Sequence, residues 1–320
     1  VLSGRGKYVF GHGAILGVAA VAPPRGAAPS PLDVRHERGD VAIDECRRLK
    51  LWQMRNSGED FPTRPADLTH LALGTHSMTS IALITGASGG LGRALARRLS
   101  AQGCRVAAVG RDAGRLADVE ATLRIAADTT TPEGAALAVA SCQDAFGAAP
   151  TLLAHCVGST LIAPLHRTPI DAYRDVMRVN LDSAVFMLQA WIAALQGGPG
   201  VAVFASSVVA RIGVANHEAI AAAKGGVEAL VRSAAATYAP QGLRVNAVAP
   251  GMTETPMTAG MLKMPAMREG AARQYPLGGV QTAQQVADVI AWLLGDGAAR
   301  LTGQVIAVDG GFTTVRPLVK

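Results

Sequence analysis

Ile81-Ala-Leu-Ile-Thr-Gly-Ala-Ser-Gly-Gly-Leu-Gly92 is the stretch from which the fold is read. Its four leading apolar residues have the continuous hydrophobicity of a strand buried on both faces. A glycine turn follows, and then Arg93-Ala-Leu-Ala-Arg-Arg-Leu99 repeats its leucines at helical spacing. Strand, glycine turn and helix together form a shape that holds a pyrophosphate. Gly86, Gly90 and Gly92 let the backbone turn tightly and approach a ligand. The helix N-terminus offers free N–H donors and the positive end of a dipole. A glycine pattern alone is weak evidence; the flanking strand and helix give it weight.

Outward from this stretch the chain alternates strand and helix. Arg105–Val109 reads as a second strand, Leu123–Ala127 as a third ending at Asp128, and Pro132–Phe146 as a helix with proline in its first turn. Thr151–Cys156 reads as a strand, Asp171–Leu195 as one long helix, and Gly200–Ala205 as the fifth strand. Glu218–Tyr238 follows as a helix, then strands Leu243–Val248 and Gln304–Val308. Such alternation predicts an α/β domain, a doubly wound parallel seven-stranded sheet with ligands at the carboxyl edge of its strands.

Composition bounds what this domain can be. Of 320 residues 49% are hydrophobic and 17% charged, with a net charge of +6, the profile of a soluble globular protein. No apolar run is long enough to span a membrane, and no basic stripe with interleaved aromatics points to nucleic acid. Cys46, Cys104, Cys142 and Cys156 lack metal-ligand or disulfide-framework spacing, so no metal is expected and the thiols read as reduced, in a cytoplasmic protein. Residues 1–77 differ in kind. They are rich in Gly, Pro, Ala and Arg, as in Ala22-Pro-Pro-Arg-Gly-Ala-Ala-Pro-Ser-Pro31, and carry no sustained periodicity. They match a secretory signal poorly, and their acidic residues argue against an organellar presequence. The reading is an irregular extension outside the folded domain, which runs 78–320, with Met78 as the expected start.

Several motifs fall in a characteristic order: Thr85-Gly-Ala-Ser-Gly-Gly-Leu-Gly92, Asp128, Val179-Asn180-Leu181, Ser206-Ser207, Lys224, Pro250-Gly251 followed by Thr253 and Thr255, and Thr302-Gly-Gln-Val-Ile-Ala-Val-Asp-Gly-Gly311. From about 79 to 313 the chain resembles the short-chain dehydrogenase/reductase family, near its 3-oxoacyl-carrier-protein reductase branch. The resemblance implies a Rossmann fold and assigns Thr85, Gly86, Ser88, Gly90, Leu91, Gly92, Asp128, Lys224, Pro250, Gly251, Thr253 and Thr255 to a nicotinamide dinucleotide. It makes Ser207 the holder of the substrate oxygen and Asn180 the anchor of a proton-relay water. Homodimers or homotetramers are common in the family. The choice of cofactor is read from charge. Strand two ends Val109-Gly110-Arg111-Asp112, so an arginine, not an acid, follows the tip. A guanidinium pairs with a ribose 2′-phosphate, which favours NADP(H) over NAD(H).

The catalytic segment departs from the family pattern. The family's proton-donating tyrosine lies four residues before its lysine, and here that position is Ile220, which can neither donate nor accept a proton. His217, seven residues before Lys224, is the candidate replacement if the helix is counted back that far; the bland alternative is a pocket-lining residue at the helix entry. A tyrosine at that earlier spacing marks the related enoyl reductases. Three expectations follow: an NADPH-dependent reductase of a carbonyl substrate, 3-oxoacyl-like or another small ketone; an enoyl- or dienoyl-thioester reductase on the same scaffold; or a catalytically impaired cofactor-binding subunit that pairs with an active homologue or senses NADPH. Residues 256–278, rich in methionine, read as the substrate lid.

Overall fold

The computed structural model describes residues 80–316. The extension expected over residues 1–77, and Met78 as a start, lie outside them. Seven strands form one parallel sheet: β1 Ile81–Thr85, β2 Arg105–Gly110, β3 Leu123–Ala126, β4 Leu152–His155, β5 Gly200–Ala205, β6 Leu243–Pro250 and, after a small parallel pair of β7 Thr253–Glu254 with β8 Gln281–Thr282, β9 Val305–Val308. The spatial order is β3-β2-β1-β4-β5-β6-β9. The chain therefore leaves β1 in one direction and returns to β4 on its other side, and the crevice between their carboxyl ends is the place where such sheets bind ligands.

The strands read as continuous apolar runs because both faces are covered. Leu83, Ala107, Val109 and Leu153 face one core, with Met187, Trp191, Val227 and Val231 from the helices. Their neighbours Ala82, Ile84, Val106 and Ala108 face the other, with Leu95, Leu99, Val286 and Ile290. Burying each such aliphatic side chain stabilises the fold by roughly 1.5–3 kcal/mol. The register Leu83 to Ala107 and Leu153 keeps the two sets on their own sides, since a slip by one residue would exchange them.

The helices are α1 Gly90–Ala101, α2 Ala113–Leu116, α3 Pro132–Phe146, α4 Ile170–Met177, α5 Ser183–Leu195, α6 Glu218–Tyr238, α7 Ala259–Leu262, α8 Pro265–Ala272 and α9 Ala283–Leu294. Helix α3 starts where the sequence says it should: Thr131 caps the Gly134 N–H at 3.1 Å and Pro132 opens the first turn. The long helix expected over Asp171–Leu195 is corrected. It begins at Ile170 and is interrupted by a π turn at Arg178–Asp182. Asn180 sits inside that turn. Its Nδ2 donates to the Val176 carbonyl at 3.0 Å, and the Ser183 hydroxyl donates to the Val179 carbonyl at 2.6 Å. Apolar periodicity does not register one extra residue in a turn, and such bulges gather at functional sites. Helix α9 lacked a sequence reading; Thr282 and Gln285 open it with a reciprocal capping box. The segment expected as a lid holds α7 and α8, and Met257, Met264 and Met267 are 55%, 57% and 46% exposed, so packing does not account for them. No helix among the described residues is long and apolar enough to cross a membrane.

Candidate active site

The glycine turn is built for close approach. Gly86 has φ +68°, and a Cβ there would lie 2.7 Å from the Cys156 carbonyl carbon at the end of β4. A Cβ on Gly92 would meet the Gly86 oxygen at 2.4 Å. Only glycine fits either position. Helix α1 starts from Gly89, which supplies no side-chain cap, and has no acid in its first turn. Its leading N–H groups thus face the turn without a competing carboxylate, as a pyrophosphate requires. The residues present fit a dinucleotide: the turn would hold the diphosphate, and the bound nicotinamide would supply or accept hydride.

At the far end, Arg111 follows the tip of β2 and is exposed. Asp112 does not compete with it. Its Oδ1 accepts from Arg115 N at 3.2 Å and caps α2. Asp128 folds back on its own loop, accepting from Thr130 N at 3.1 Å and Thr130 Oγ1 at 2.8 Å. Partial burial raises its pKa, but the Thr130 hydrogen bonds and the charges of Arg111 and Arg178 outweigh that and hold it below the usual carboxylate value. On the nicotinamide side, Pro250 ends β6 and Gly251 N donates to the Val308 carbonyl at 2.9 Å. Thr253 Oγ1 donates to the Gly251 carbonyl at 2.9 Å, and Thr255 N donates to Thr258 Oγ1 at 3.1 Å. A Cβ on Gly90 would touch the Thr255 Cβ at 2.9 Å, so this loop lies directly against the glycine turn.

Lys224, Asn180 and the β4 loop meet in the crevice. A Cβ on Gly158 would lie 3.1 Å from Asn180 Oδ1 and 3.4 Å from Lys224 Nζ. Lys224 is 6% exposed, and its ammonium donates to the Ala205 carbonyl at 2.7 Å, where β5 runs into the serine pair. Burial pulls its pKa down to about 8 despite an opposing pull from Cys156. Ser206 turns inward and donates to Glu228 Oε1 at 2.9 Å. Ser207 is half-buried, and its Oγ accepts from Val209 N at 3.4 Å.

Two candidates form no side-chain hydrogen bond with these groups. Ile220 is 4% exposed in an apolar cluster with Val176, Ala219 and Ala223, against which Tyr173 and Val209 pack. His217 is not a helical residue. It is the N-cap of α6, with φ −116° and ψ 19°, after Asn216 at φ +63°. Its carbonyl accepts the first helical bond, from Ala221 N at 2.8 Å, which sets it about two turns before Lys224 at the helix entry. Its Nδ1 lies 2.7 Å from the Ala215 carbonyl and donates to it, which leaves Nε2 turned away from that bond.

Sequence reasoning missed the partners of these groups. Ser159 N donates to Asn180 Oδ1 at 3.1 Å, and Asn180 Nδ2 donates to Ser159 Oγ at 3.0 Å, which fixes the amide. His155 is buried between Thr85 Oγ1 at 2.8 Å and Ser183 Oγ at 3.1 Å. Ser183 already donates to Val179, so the His155 ring donates from Nε2 and accepts at Nδ1. Burial, with the Lys224 charge in addition, lowers its pKa to about 3. Burial pushes the neighbouring Cys156 thiol up to about 12 against the pull of Lys224. The signal available in the sequence was position: His155 and Cys156 stand at the carboxyl end of the strand beside β1.

Known proteins resemble this chain in sequence and fold. A family model described as enoyl-(acyl carrier protein) reductase matches residues 86–313. The cis-4-hydroxycyclohexanecarboxylate dehydrogenase of Sinomonas cyclohexanicum is 36% identical over 245 residues, covering 73% of this chain and 97% of that protein. The 2-(R)-hydroxypropyl-CoM dehydrogenase of Xanthobacter autotrophicus is 35% identical over 250 residues, covering 74% and 100%. A structure of an actinorhodin polyketide ketoreductase variant with NADPH superposes with TM-score 0.70 at 27% identity, covering 74% of this chain and 98% of that one. The chain belongs to the short-chain dehydrogenase/reductase family. It is an NAD(P)-dependent oxidoreductase of a small-molecule substrate.

Proposed function

We propose that this chain reduces a carbonyl, a small ketone or a 3-oxoacyl-like thioester, with NADPH. The observation that carries the reading is the meeting of Lys224 and Asn180 at Gly158, beside the Ala205–Ser207 turn and contiguous through Cys156 with the glycine cradle. In this reading Ser207 holds the substrate oxygen, Lys224 carries the local positive charge, and the Asn180 amide keeps the π turn and the β4 loop together. The names of the relatives point the same way: two are dehydrogenases of hydroxy compounds and one is a ketoreductase. Arg111 at the tip of β2, with Asp112 engaged as a helix cap, supports NADPH. The exposed methionines of 257–267 suit an apolar substrate. We further propose a homo-oligomer, on the apolar side chains that Val185 and Trp292 expose on α5 and α9.

One observation favours a second reading. Ile220 stands where a proton donor is expected, and reduction of a conjugated C=C asks only that donors stabilise a developing enolate oxygen. NADPH consumption with acetoacetyl and crotonyl thioesters, and with a panel of small ketones, separates the two. Turnover of the ketones and the acetoacetyl thioester is expected. Turnover of the crotonyl thioester alone establishes the second reading, and NADPH binding without any turnover overturns both.

A further inference from the structure

A site that reduces a carbonyl must place one proton on oxygen, and the position that serves this purpose in the family resemblance is here an isoleucine sealed in an apolar cluster. The groups around the crevice narrow the choice. Ser207 can share a hydrogen bond, but an alcohol is far too weak an acid to give up its proton near neutral pH. The Cys156 thiol is held neutral by burial. His217 turns its Nδ1 to the Ala215 carbonyl and stands at the N-cap of α6, where no side-chain hydrogen bond ties it to Ser207 or Lys224. Lys224 remains. Its ammonium spends one N–H on the Ala205 carbonyl at 2.7 Å, which leaves two, and it stands between the Gly158 turn and the entry to Ser206-Ser207.

Resting on the reductase reading above, we propose that Lys224 is the proton donor of this site, passing its proton through one water to the oxygen held by Ser207. A water bound by the ammonium and the serine hydroxyl would have polar partners at both ends. The step balances. A reduced nicotinamide supplies the hydride that reduces the carbon. The π pair of the C=O takes the proton and becomes an O–H bond. An N–H bond of Lys224 breaks, and the neutral amine is reprotonated from solvent.

The surroundings suit this role because, among the described residues, no free anion faces the ammonium. From β4 it meets His155 and Cys156, both neutral. From β5 it meets the Ala205 carbonyl, and at Gly158 it stands near the Asn180 amide of the π turn. On its own helix, Glu228 is occupied by Ser206, with Arg211 and Arg232 close to its other oxygen. A desolvated ammonium without a counter-ion gives up its proton near pH 8, where a general acid is effective at physiological pH.

The test reads protonation separately from catalysis. The chain has five lysines, Lys7, Lys50, Lys224, Lys263 and Lys320, so the side-chain carbons of a lysine-labelled, cofactor-free protein give few NMR signals. One signal is expected to titrate near pH 8 and to vanish in Lys224→Arg; should that variant not fold, arginine substitution of the other four assigns it by elimination. Ketone turnover should fall about tenfold per pH unit above the same midpoint. That limb should be lost in Lys224→Arg, whose NADPH affinity is followed by fluorescence. A Lys224 signal titrating near an ordinary amine's 10.4 overturns the proposal. So does an unchanged pH limb in a Lys224→Arg protein that binds NADPH. Failure of the wild type to turn over any carbonyl overturns the reductase reading and the proposal with it, whereas turnover without the limb overturns the proposal alone.

Discussion

Two regions meet in the crevice, the cradle at residues 81–92 and the segment at 206–224, and they carry information differently. The cradle's role is written in backbone shape. Gly86 and Gly92 face carbonyl and Cα atoms at distances that leave no room for a methyl group, so shape alone fixes residue identity. The later segment's role is written in side-chain chemistry. Its Lys224 reaches the end of β5 beside Ser207, while Ile220, in the sequence between them, packs in an apolar cluster. A scaffold that binds a dinucleotide is therefore separable from the group that protonates the substrate.

Breaking the first region should have the largest effect. In Gly92→Ala the new methyl would sit 2.4 Å from the Gly86 oxygen and 2.6 Å from the Ala87 Cα, both backbone atoms that cannot swing aside. The cradle must shift, at a cost of about 1–3 kcal/mol of stability, and the expected result is loss of NADPH binding by more than ~100-fold together with a lower Tm. Fluorescence titration of NADPH and a thermal melt measure both. Binding within a few-fold of wild type would show that the pyrophosphate does not sit on this turn.

Breaking the second region should spare binding. Ser207→Ala removes a half-buried hydroxyl that bonds the Val209 N–H through a long 3.4 Å contact. The expected loss in kcat/KM is roughly 10²–10³, the usual cost of deleting one donor aimed at a developing oxyanion, with the dissociation constant for NADPH unchanged. Equal losses in binding and turnover would mean that the two regions are not separable here.

The same contrast explains what was legible in the sequence. Strand β5, helix α3 and helix α6 fall at the bounds expected of them, because strand hydrophobicity, a proline at N1 and a glycine past the C-terminus are local signals. The cradle was legible for the same reason: strand, glycines and helix are contiguous. The π turn around Asn180 was not, because its extra residue is stabilised by contacts of Ser159 and Ser183 with the turn that no periodicity records. Nor was the fate of His217. A helical count places it about two turns before Lys224, but no periodicity shows the positive φ of Asn216 before it or its bond to the Ala215 carbonyl. His155 and Lys224 lie 69 positions apart in sequence, so the charge that one feels from the other required the sheet to be assembled.

Arg111→Ala should sharpen the comparison at the cofactor end by a smaller amount. The guanidinium is exposed, and a charge-assisted hydrogen bond there is screened, so about tenfold is expected in the ratio of NADPH to NADH affinity. The change should fall mainly on NADPH and shrink as salt is raised. Parallel titrations with both cofactors at low and high ionic strength measure it, and an unchanged ratio removes Arg111 from the 2′-phosphate site. Asp128 provides the internal control, because its hydrogen bonds to Thr130 persist whether or not Arg111 is present.

The smallest effect is expected from His217→Ala, and it bears most directly on which group donates the proton. With Nδ1 donating to the Ala215 carbonyl, the ring ties down the turn that precedes α6, and its neutral form has no second proton to offer. Removing it should cost about 1 kcal/mol of stability, the ordinary value of one such hydrogen bond, and change kcat by less than about threefold. The Lys224-dependent pH limb should stay in place. A fall of 10² or more in kcat at an unchanged Tm would instead assign the proton to the histidine. It would also mean that the Ala215 bond opens when substrate binds, which a shift of the His217 ring signals on adding a substrate analogue would show independently.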